Sequence, residues 1–126
     1  MSANKSRLMV SSVGGVQAVY FQDARILDEN TVKQIADELM KLVESTFGIR
    51  LLLDFSNVEY LSSAVLGKLV ATHKKVQEGK GTMRLCAIKP SIREVFKITK
   101  LDKVFEIHDT QQSALNAFQT KKFGLF

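Results

Sequence analysis

Segments with two different kinds of apolar spacing follow one another along this chain. Short apolar runs flanked by turn residues predict strands, and apolar residues three or four positions apart predict helices. Met9–Ser12 and Val16–Phe21 flank a Gly-Gly pair and predict a β-hairpin, because glycine adopts the positive φ of a tight turn. The run Ile49–Phe55 is almost entirely apolar, which predicts a central strand covered on both faces. Two further strands are predicted, at Thr82–Ile88 and Val104–Ile107.

Four helices are predicted between and after these strands. Three begin at residue pairs with capping-box spacing, in which side chains three positions apart satisfy free backbone N–H groups. These pairs are Thr31 with Gln34, Ser91 with Glu94 just after Pro90, and Asp109 with Gln112. The second helix is predicted from about Ser63 to Gln77, before the stop signal Gly79-Lys80-Gly81. Side chains expected to face the core include Ile35, Leu39, Val65, Leu69, Ile92, Val95, Phe96, Leu115 and Phe118.

A hairpin followed by alternating helices and strands is typical of an α/β fold. We expect one mixed, mostly parallel sheet of four or five strands, with about four helices packed against it. The length of 126 residues and the apolar content of 45% suffice for one hydrophobic core. The whole chain, residues 1–126, is therefore predicted to be a single domain, with residues 1–7 and 119–126 as candidate flexible ends.

The charge and the cysteine content limit the classes of binding partner and indicate the cellular compartment. The net charge of +5 is a weak signal, because the 18 lysines and arginines are spread along the chain with few aromatic residues among them. A nucleic-acid partner is therefore not expected. The single cysteine, Cys86, excludes an internal disulfide and fits a reduced, cytoplasmic setting. No stretch approaches the roughly 20 apolar residues of a membrane helix, so no membrane span is predicted.

Residue patterns typical of catalysis are missing from the sequence. His73 and His108 show no metal-site spacing, and no G-x-S-x-G motif of a hydrolase is present. The fragment EGKGT lacks the first glycine of a phosphate loop and precedes a predicted strand, so it is interpreted as a turn. We expect a binding protein without metal or cofactor, and not an enzyme. Asp54 ends the central strand, where α/β proteins place functional groups, but it could equally fix the following loop.

Two adjacent serines lie where the loop after the central strand meets the second helix, in the segment YLSSAVLGKLV. A hydroxyl at such a junction can cap the helix by accepting a hydrogen bond from an unpaired N–H group. Alternatively, one of the two serines is a modification site. The residues alone leave both interpretations open for Ser63, and Ser62 can supply the cap in either case.

Three segments together resemble STAS domains, the family of bacterial anti-sigma factor antagonists. LLLDFSNVEYLSSAVLGKLV resembles the family's strand, loop and helix, GTMRLCAIKPSIREVFKITKLDKVFEI resembles the region that follows, and RILDENT supplies an aspartate, Asp28, before the first helix. The family's phosphoacceptor motif is Asp-Ser-Ser/Thr-Gly-Leu-Gly. The match implies that Ser63 is the phosphoacceptor, with Leu66 and Gly67 in agreement. Ser62 stands where the motif has aspartate, and Ala64-Val65 replaces its Ser/Thr-Gly pair.

The resemblance implies a phosphorylation-controlled protein partner. An unphosphorylated antagonist binds an anti-sigma factor kinase of the histidine-kinase-like ATPase class, which holds the ATP, and thereby releases a sigma factor. Phosphorylation of Ser63 would end this binding, and a metal-dependent serine phosphatase would restore it. The partner-binding residues implied are Asp28, Ser62, Ser63 and Lys68.

Two other functions are compatible with parts of the sequence. A STAS subunit can serve as a constitutive scaffold in a signalling assembly or a lipid-transport complex, without phosphorylation. A nucleotide-binding module is disfavoured, because the chain has no phosphate loop. The apolar tail Phe123-Gly124-Leu125-Phe126 is a candidate partner contact, core plug or disordered end.

Overall fold

The computed structural model describes residues 6–123, and the side chains of residues 6–119. Five strands form its main sheet: β1 (Leu8–Val13), β2 (Val16–Phe21), β4 (Arg50–Asp54), β6 (Thr82–Cys86) and β7 (Glu106–His108). Their order across the sheet is β1-β2-β4-β6-β7. The hairpin strands β1 and β2 are antiparallel, and each of the other neighbouring pairs is parallel. The predicted α/β class with a mixed, mostly parallel sheet is confirmed.

A second, very small sheet was not predicted. β3 (Arg25–Ile26) pairs in parallel with β5 (Tyr60–Leu61), so that Ile26 lies beside Leu61. Two residues a strand are too few for the alternation that marks a strand in sequence. This sheet joins the segment before the first helix to the segment that carries the two serines.

Four helices lie within residues 6–123, and they divide between the two faces of the main sheet. They are α1 (Glu29–Glu44), α2 (Ser63–Glu78), α3 (Pro90–Ile98) and α4 (Gln111–Phe123). The larger core cluster lies between one face of the sheet and α1, α2 and α3. It contains Leu51 and Leu53 of β4 together with Leu39, Val65, Leu69 and Phe96 of the helices. None of the helices in this part of the chain is long and apolar enough to span a bilayer.

The helix α4 covers the other face of the sheet. Leu52, Cys86 and Phe118 are buried there in a smaller cluster. The guanidinium carbon of Arg84 lies 4.4 Å from the ring centroid of Phe118. Arg84 also donates a hydrogen bond of 2.6 Å to Glu106 on the neighbouring strand. The charge of this buried arginine thus lies between an aromatic face and a carboxylate, while its Nη1 has no hydrogen-bond partner among the described residues.

The first helix is capped by Asp28 and not by the predicted pair Thr31 and Gln34. The carboxylate of Asp28 accepts hydrogen bonds from the Thr31 N–H at 3.1 Å and from the Thr31 hydroxyl at 2.7 Å. Thr31 therefore occupies the first turn, and Gln34 bonds to Arg7 and Glu38 instead. Both Asp and Thr are good capping residues, and here the N-cap position is occupied by the aspartate, whose negative charge is favoured at a helix N-terminus.

The third and fourth helices also begin differently from the prediction. α3 starts at Pro90, without a side-chain cap from Ser91, since proline is favoured at the first helical position. α4 starts after Thr110, whose hydroxyl accepts a hydrogen bond of 3.0 Å from the Ser113 N–H. Val95 was predicted to be buried and is exposed, because the buried face of α3 is limited to Ile92 and Phe96.

The last strand of the sheet is shorter than predicted and starts later. Residues Leu101–Lys103 form a 3₁₀ turn, and β7 begins only at Glu106. The single-domain boundary and the flexible ends stay predictions. Residues 1–5 and 124–126, which include most of the apolar tail, lie outside the described residues, and the backbone of residues 119–123 belongs to α4.

Candidate functional site

The two serines lie at the junction between β5 and α2. Ser62 has extended backbone angles, φ −87° and ψ 163°, and occupies the N-cap position, while Ser63 is the first residue of the helix. The Ser62 N–H donates a hydrogen bond of 3.0 Å to the Ile26 carbonyl, which continues the small parallel sheet into the helix start. The predicted start of α2 is therefore confirmed, and both serines are fixed by a backbone pairing that the sequence did not indicate.

Ser62 does not cap the helix with its side chain. Its hydroxyl oxygen is enclosed by the protein and has no hydrogen-bond partner among the described residues. The N–H groups of Ser63 and Ala64 consequently have no acceptor in the part of the chain that the structure describes. Unpaired N–H groups at a helix N-terminus carry partial positive charge and favour an anion.

Ser63 lies on an open, shallow face of α2. Ser63, Ala64, Gly67 and Lys68 are all exposed, and residues four apart on a helix lie on the same side. A β-carbon added at Gly67 would meet nothing within 4 Å. The small side chains therefore leave room for another protein surface to approach the Ser63 hydroxyl closely, with Lys68 at the margin.

The small sheet places Asp28 beside Ser63. Ile26 pairs with Leu61, and Asp28 and Ser63 each follow two residues later on these parallel segments. Asp28 is exposed. Its hydrogen bonds from the Thr31 hydroxyl and backbone lower the pKa of the carboxyl below its ordinary value, so the group is ionised at neutral pH. Asp28 therefore combines a cap on α1 with a negative charge on the surface that carries Ser63.

Two large apolar side chains at this surface were missed by the sequence analysis. Leu27 is 46% exposed and Tyr60 is 55% exposed, and they adjoin Asp28 and the serines along the chain. The guanidinium of Arg25 lies 5.1 Å from the Tyr60 ring centroid. The available signal was a pair of adjacent apolar residues in each predicted loop, Ile26-Leu27 and Tyr60-Leu61. Exposed apolar and aromatic groups of this kind are enriched in protein interfaces.

The loop that leads into the site is held at several points. The Asn57 amide donates to the carbonyls of Phe21 and Gln22, at 3.3 and 3.0 Å. The N–H groups of Glu59 and Tyr60 both donate to the Ala24 carbonyl, at 2.7 and 3.1 Å. The Lys89 ammonium donates to the Ser56 carbonyl. These bonds fix the position of α2 and of Ser63 before any partner arrives.

A family model described as STAS domain matches residues 9–114 of this chain. The chain belongs to the STAS domain family. BtrV of Bordetella bronchiseptica, named as a candidate anti-sigma factor antagonist, is 27% identical over 114 residues, which are 90% of this chain and 96% of BtrV.

Solved structures show the same fold. An anti-sigma factor antagonist (STAS) domain protein from Planctomyces limnophilus is 28% identical, with a TM-score of 0.79 over 90% of this chain and 98% of that chain. An anti-sigma factor antagonist from Mycobacterium paratuberculosis is 30% identical, with a TM-score of 0.76 over 87% and 91% of the two chains.

In this STAS domain, Asp54 lies apart from the serines. Its side chain points to the α4 side of the sheet, where it accepts hydrogen bonds from the Ser56 N–H at 2.8 Å and from the Gln111 amide at 3.2 Å. Of the two roles considered for Asp54, these contacts are those of a carboxylate that fixes the loop. The pairing of β3 with β5 puts Asp28 and the two serines on neighbouring segments, and Lys68 is exposed further along α2. Asp54 lies outside this group.

The buried thiol of the STAS domain also lies beside Asp54. Burial, together with the neighbouring carboxylate, raises the pKa of Cys86 to about 12. The thiol therefore stays protonated at neutral pH and is a poor nucleophile. Within residues 6–123, no three His, Cys, Asp or Glu side chains are grouped so that they could share a metal ion.

Proposed function

We propose that this chain is an anti-sigma factor antagonist whose binding is controlled by phosphorylation of Ser63. The observation that carries the proposal is the environment of Ser63, an exposed hydroxyl on an open helix face, at an N-terminus with unpaired N–H groups. The names of the relatives support the antagonist role. The proposed role is that of a binding protein and not of an enzyme.

Ser63 is the better phosphoacceptor of the two serines. The Ser62 hydroxyl is enclosed and faces away from solvent, so a kinase would need to disrupt the helix start to reach it. Ser63 is exposed and requires no such change. The replacement of the family's aspartate by Ser62 therefore does not add a second accessible acceptor.

The domain itself would tolerate a phosphate at Ser63. A phosphoryl group adds about −1.5 to −2 charge and three acceptor oxygens. The first turn of α2 contains no acidic residue, and the N–H groups of Ser63 and Ala64 lack acceptors in the described chain. Phosphate at a helix N-terminus is stabilised by such N–H groups and by the helix dipole. The fold should therefore persist after phosphorylation.

The partner would bear the unfavourable effect of the phosphate. A surface that packs against Ser63 and Gly67 would enclose the added charge and remove its water. An enclosed ion without a matching partner costs several kcal/mol, which is sufficient to dissociate most regulatory complexes. The carboxylate of Asp28 increases the negative charge at the same surface.

The partners follow from the family resemblance. The binding partner would be an anti-sigma factor serine kinase that holds the ATP, and capture of that kinase would release a sigma factor. A serine phosphatase would remove the phosphate from Ser63. Because sigma factors act on the transcription machinery, these complexes would form in the cytoplasm.

The proposal is tested by phosphosite mass spectrometry. The protein is incubated with ATP and an anti-sigma serine kinase from the same organism, and phosphopeptides are then sequenced. We expect phosphate on Ser63 in the wild type and in Ser62→Ala, and none in Ser63→Ala. Phosphate on Ser62, or labelling that persists in Ser63→Ala, would contradict the assignment. A kinase complex that forms with no phosphorylation would favour the constitutive scaffold.

A further inference from the structure

The outer edge of the main sheet is unprotected. β1 is an end strand with the sequence LMVSSV, which contains no charged residue and no proline. Met9, Val10 and Val13 are 58, 44 and 37% exposed. Soluble proteins normally blunt such edges with charges, prolines or bulges, because an open edge accepts another strand.

The register of the hairpin shows which backbone groups point outward. The two strands meet across Gly14 and Gly15, both with positive φ, and Val13 pairs with Val16. In such a two-residue turn the flanking pair exchanges hydrogen bonds, and bonded pairs then alternate along the ladder. The Gln22 N–H donates to the Arg7 carbonyl at 3.0 Å, which agrees with this alternation.

The outward-facing groups therefore belong to the even-numbered residues of β1. The Leu8 N–H and carbonyl already bond to the side chains of Glu38 and Ser6. The N–H and carbonyl groups of Val10 and Ser12 remain without partners in the described structure. These four free backbone groups lie in equal numbers on either side of Ser11 along the strand.

We propose that β1 pairs in antiparallel fashion with β1 of a second copy of this chain, across a two-fold axis at Ser11. In this register Val10 of each copy exchanges two hydrogen bonds with Ser12 of the other. All four free groups of each edge are then satisfied, and the bonds that Leu8 already makes are kept. A two-fold contact requires such a self-complementary surface.

Side chains agree with the same register. Met9, Ser11 and Val13 lie on the α4 side of the sheet, because side chains alternate along a strand. Pairing about Ser11 places Met9 of each copy beside Val13 of the other, and these are two of the three exposed large apolar residues of the edge. No charged residue lies in the strand, so the net charge of +5 does not put like charges at the contact.

The contact leaves the Ser63 surface free. None of Asp28, Ser62, Ser63 or Lys68 lies in β1, and β2 separates β1 from β4 in the sheet. The dimer would therefore present two partner-binding surfaces. One short strand from each copy forms a small interface, which predicts reversible, concentration-dependent association.

Cysteine cross-linking tests the register. At the two-fold axis the Ser11 residues form a non-hydrogen-bonded pair with Cα atoms about 4.5 Å apart, a distance that a disulfide can span. The two Ser12 residues are offset along the strands and lie more than about 7 Å apart, beyond disulfide reach. We expect Ser11→Cys to form a covalent dimer under mild oxidation and Ser12→Cys to form none. Equal or stronger cross-linking of Ser12→Cys would overturn the register.

Sedimentation equilibrium tests the dimer itself. The wild type should dimerise as its concentration rises. Ser11→Lys places two like charges directly opposite each other and should raise the dimer dissociation constant at least about tenfold. Gln77→Lys adds the same charge on an exposed part of α2 and should leave association unchanged. A wild type that stays monomeric at all concentrations, or a Ser11→Lys variant that dimerises normally, would overturn the proposal.

Discussion

Replacing Ser62 by alanine should not destabilise the protein, although the residue occupies an N-cap position. A serine that caps a helix through its hydroxyl is worth about 0.5 to 2 kcal/mol relative to alanine. In this structure the Ser62 hydroxyl accepts no hydrogen bond from the first turn, so that contribution is absent. The backbone bond from the Ser62 N–H to Ile26 does not depend on the side chain and is kept.

The enclosed Ser62 hydroxyl also destabilises the folded state. A buried polar group without a partner costs about 1 to 3 kcal/mol in lost hydration. The substitution to alanine removes this cost and leaves a space no larger than one oxygen atom. We therefore expect the free energy of unfolding of Ser62→Ala to be unchanged or to rise by up to about 2 kcal/mol. For a chain of this size each kcal/mol corresponds to about 3 to 5 °C in melting temperature.

Thr110→Ala is the matched control, because the Thr110 hydroxyl accepts a hydrogen bond of 3.0 Å from the Ser113 N–H at the start of α4. Its loss should lower stability by about 0.5 to 2 kcal/mol. Urea unfolding of both variants, followed by circular dichroism, gives the comparison. A Ser62→Ala variant that loses as much stability as Thr110→Ala would refute the reasoning, since Ser62 would then act as an ordinary cap.

The remaining predictions concern the core, the charge at the site and the pH dependence. Leu69→Ala should lose about 2 to 5 kcal/mol in urea unfolding because the side chain is buried between α2 and the sheet, and Lys68→Ala should change stability by less than about 0.5 kcal/mol. Asp28→Asn should keep the cap, because asparagine caps well, and should weaken binding of the anti-sigma partner in calorimetry; unchanged affinity would leave Asp28 as a cap alone. Burial against Phe105 lowers the pKa of His73 below 6.5. The unfolded chain therefore binds more protons than the folded chain in this pH range, and the free energy of unfolding falls as the pH drops below 6.5 through the folded-state pKa. This part of the pH dependence should be absent in His73→Phe, and an identical pH profile for that variant would contradict it.

The element order could be predicted because it depends on apolar spacing that is local in sequence. Ile49–Phe55 gave the central strand, and the spacing of Val65 and Leu69 gave the buried face of α2. The helix starts were harder to predict, since several residues in one segment can cap. Asp28 and Thr31 are such a pair, and only the three-dimensional contacts show which one accepts the hydrogen bonds.

The site was predictable in part. The exposed Ser63 at the start of α2 followed from helical spacing, and Asp28 entered through the family resemblance. The pairing of Ile26 with Leu61, which brings these two residues together, involves strands too short to leave a sequence pattern. The burial of the Ser62 hydroxyl also depends on tertiary packing, which a local motif does not contain.

Titration calorimetry with an anti-sigma serine kinase from the same organism, with and without ATP, tests most directly whether Ser63 controls partner binding. The wild type should bind without ATP and lose affinity after incubation with ATP. Ser63→Ala should bind equally in both conditions, since the hydroxyl that would accept the phosphate is gone. Ser63→Asp should bind at least about tenfold more weakly than Ser63→Ala, because a carboxylate reproduces part of the phosphate charge. Equal affinities for the three proteins in both conditions would contradict a phosphorylation switch at Ser63.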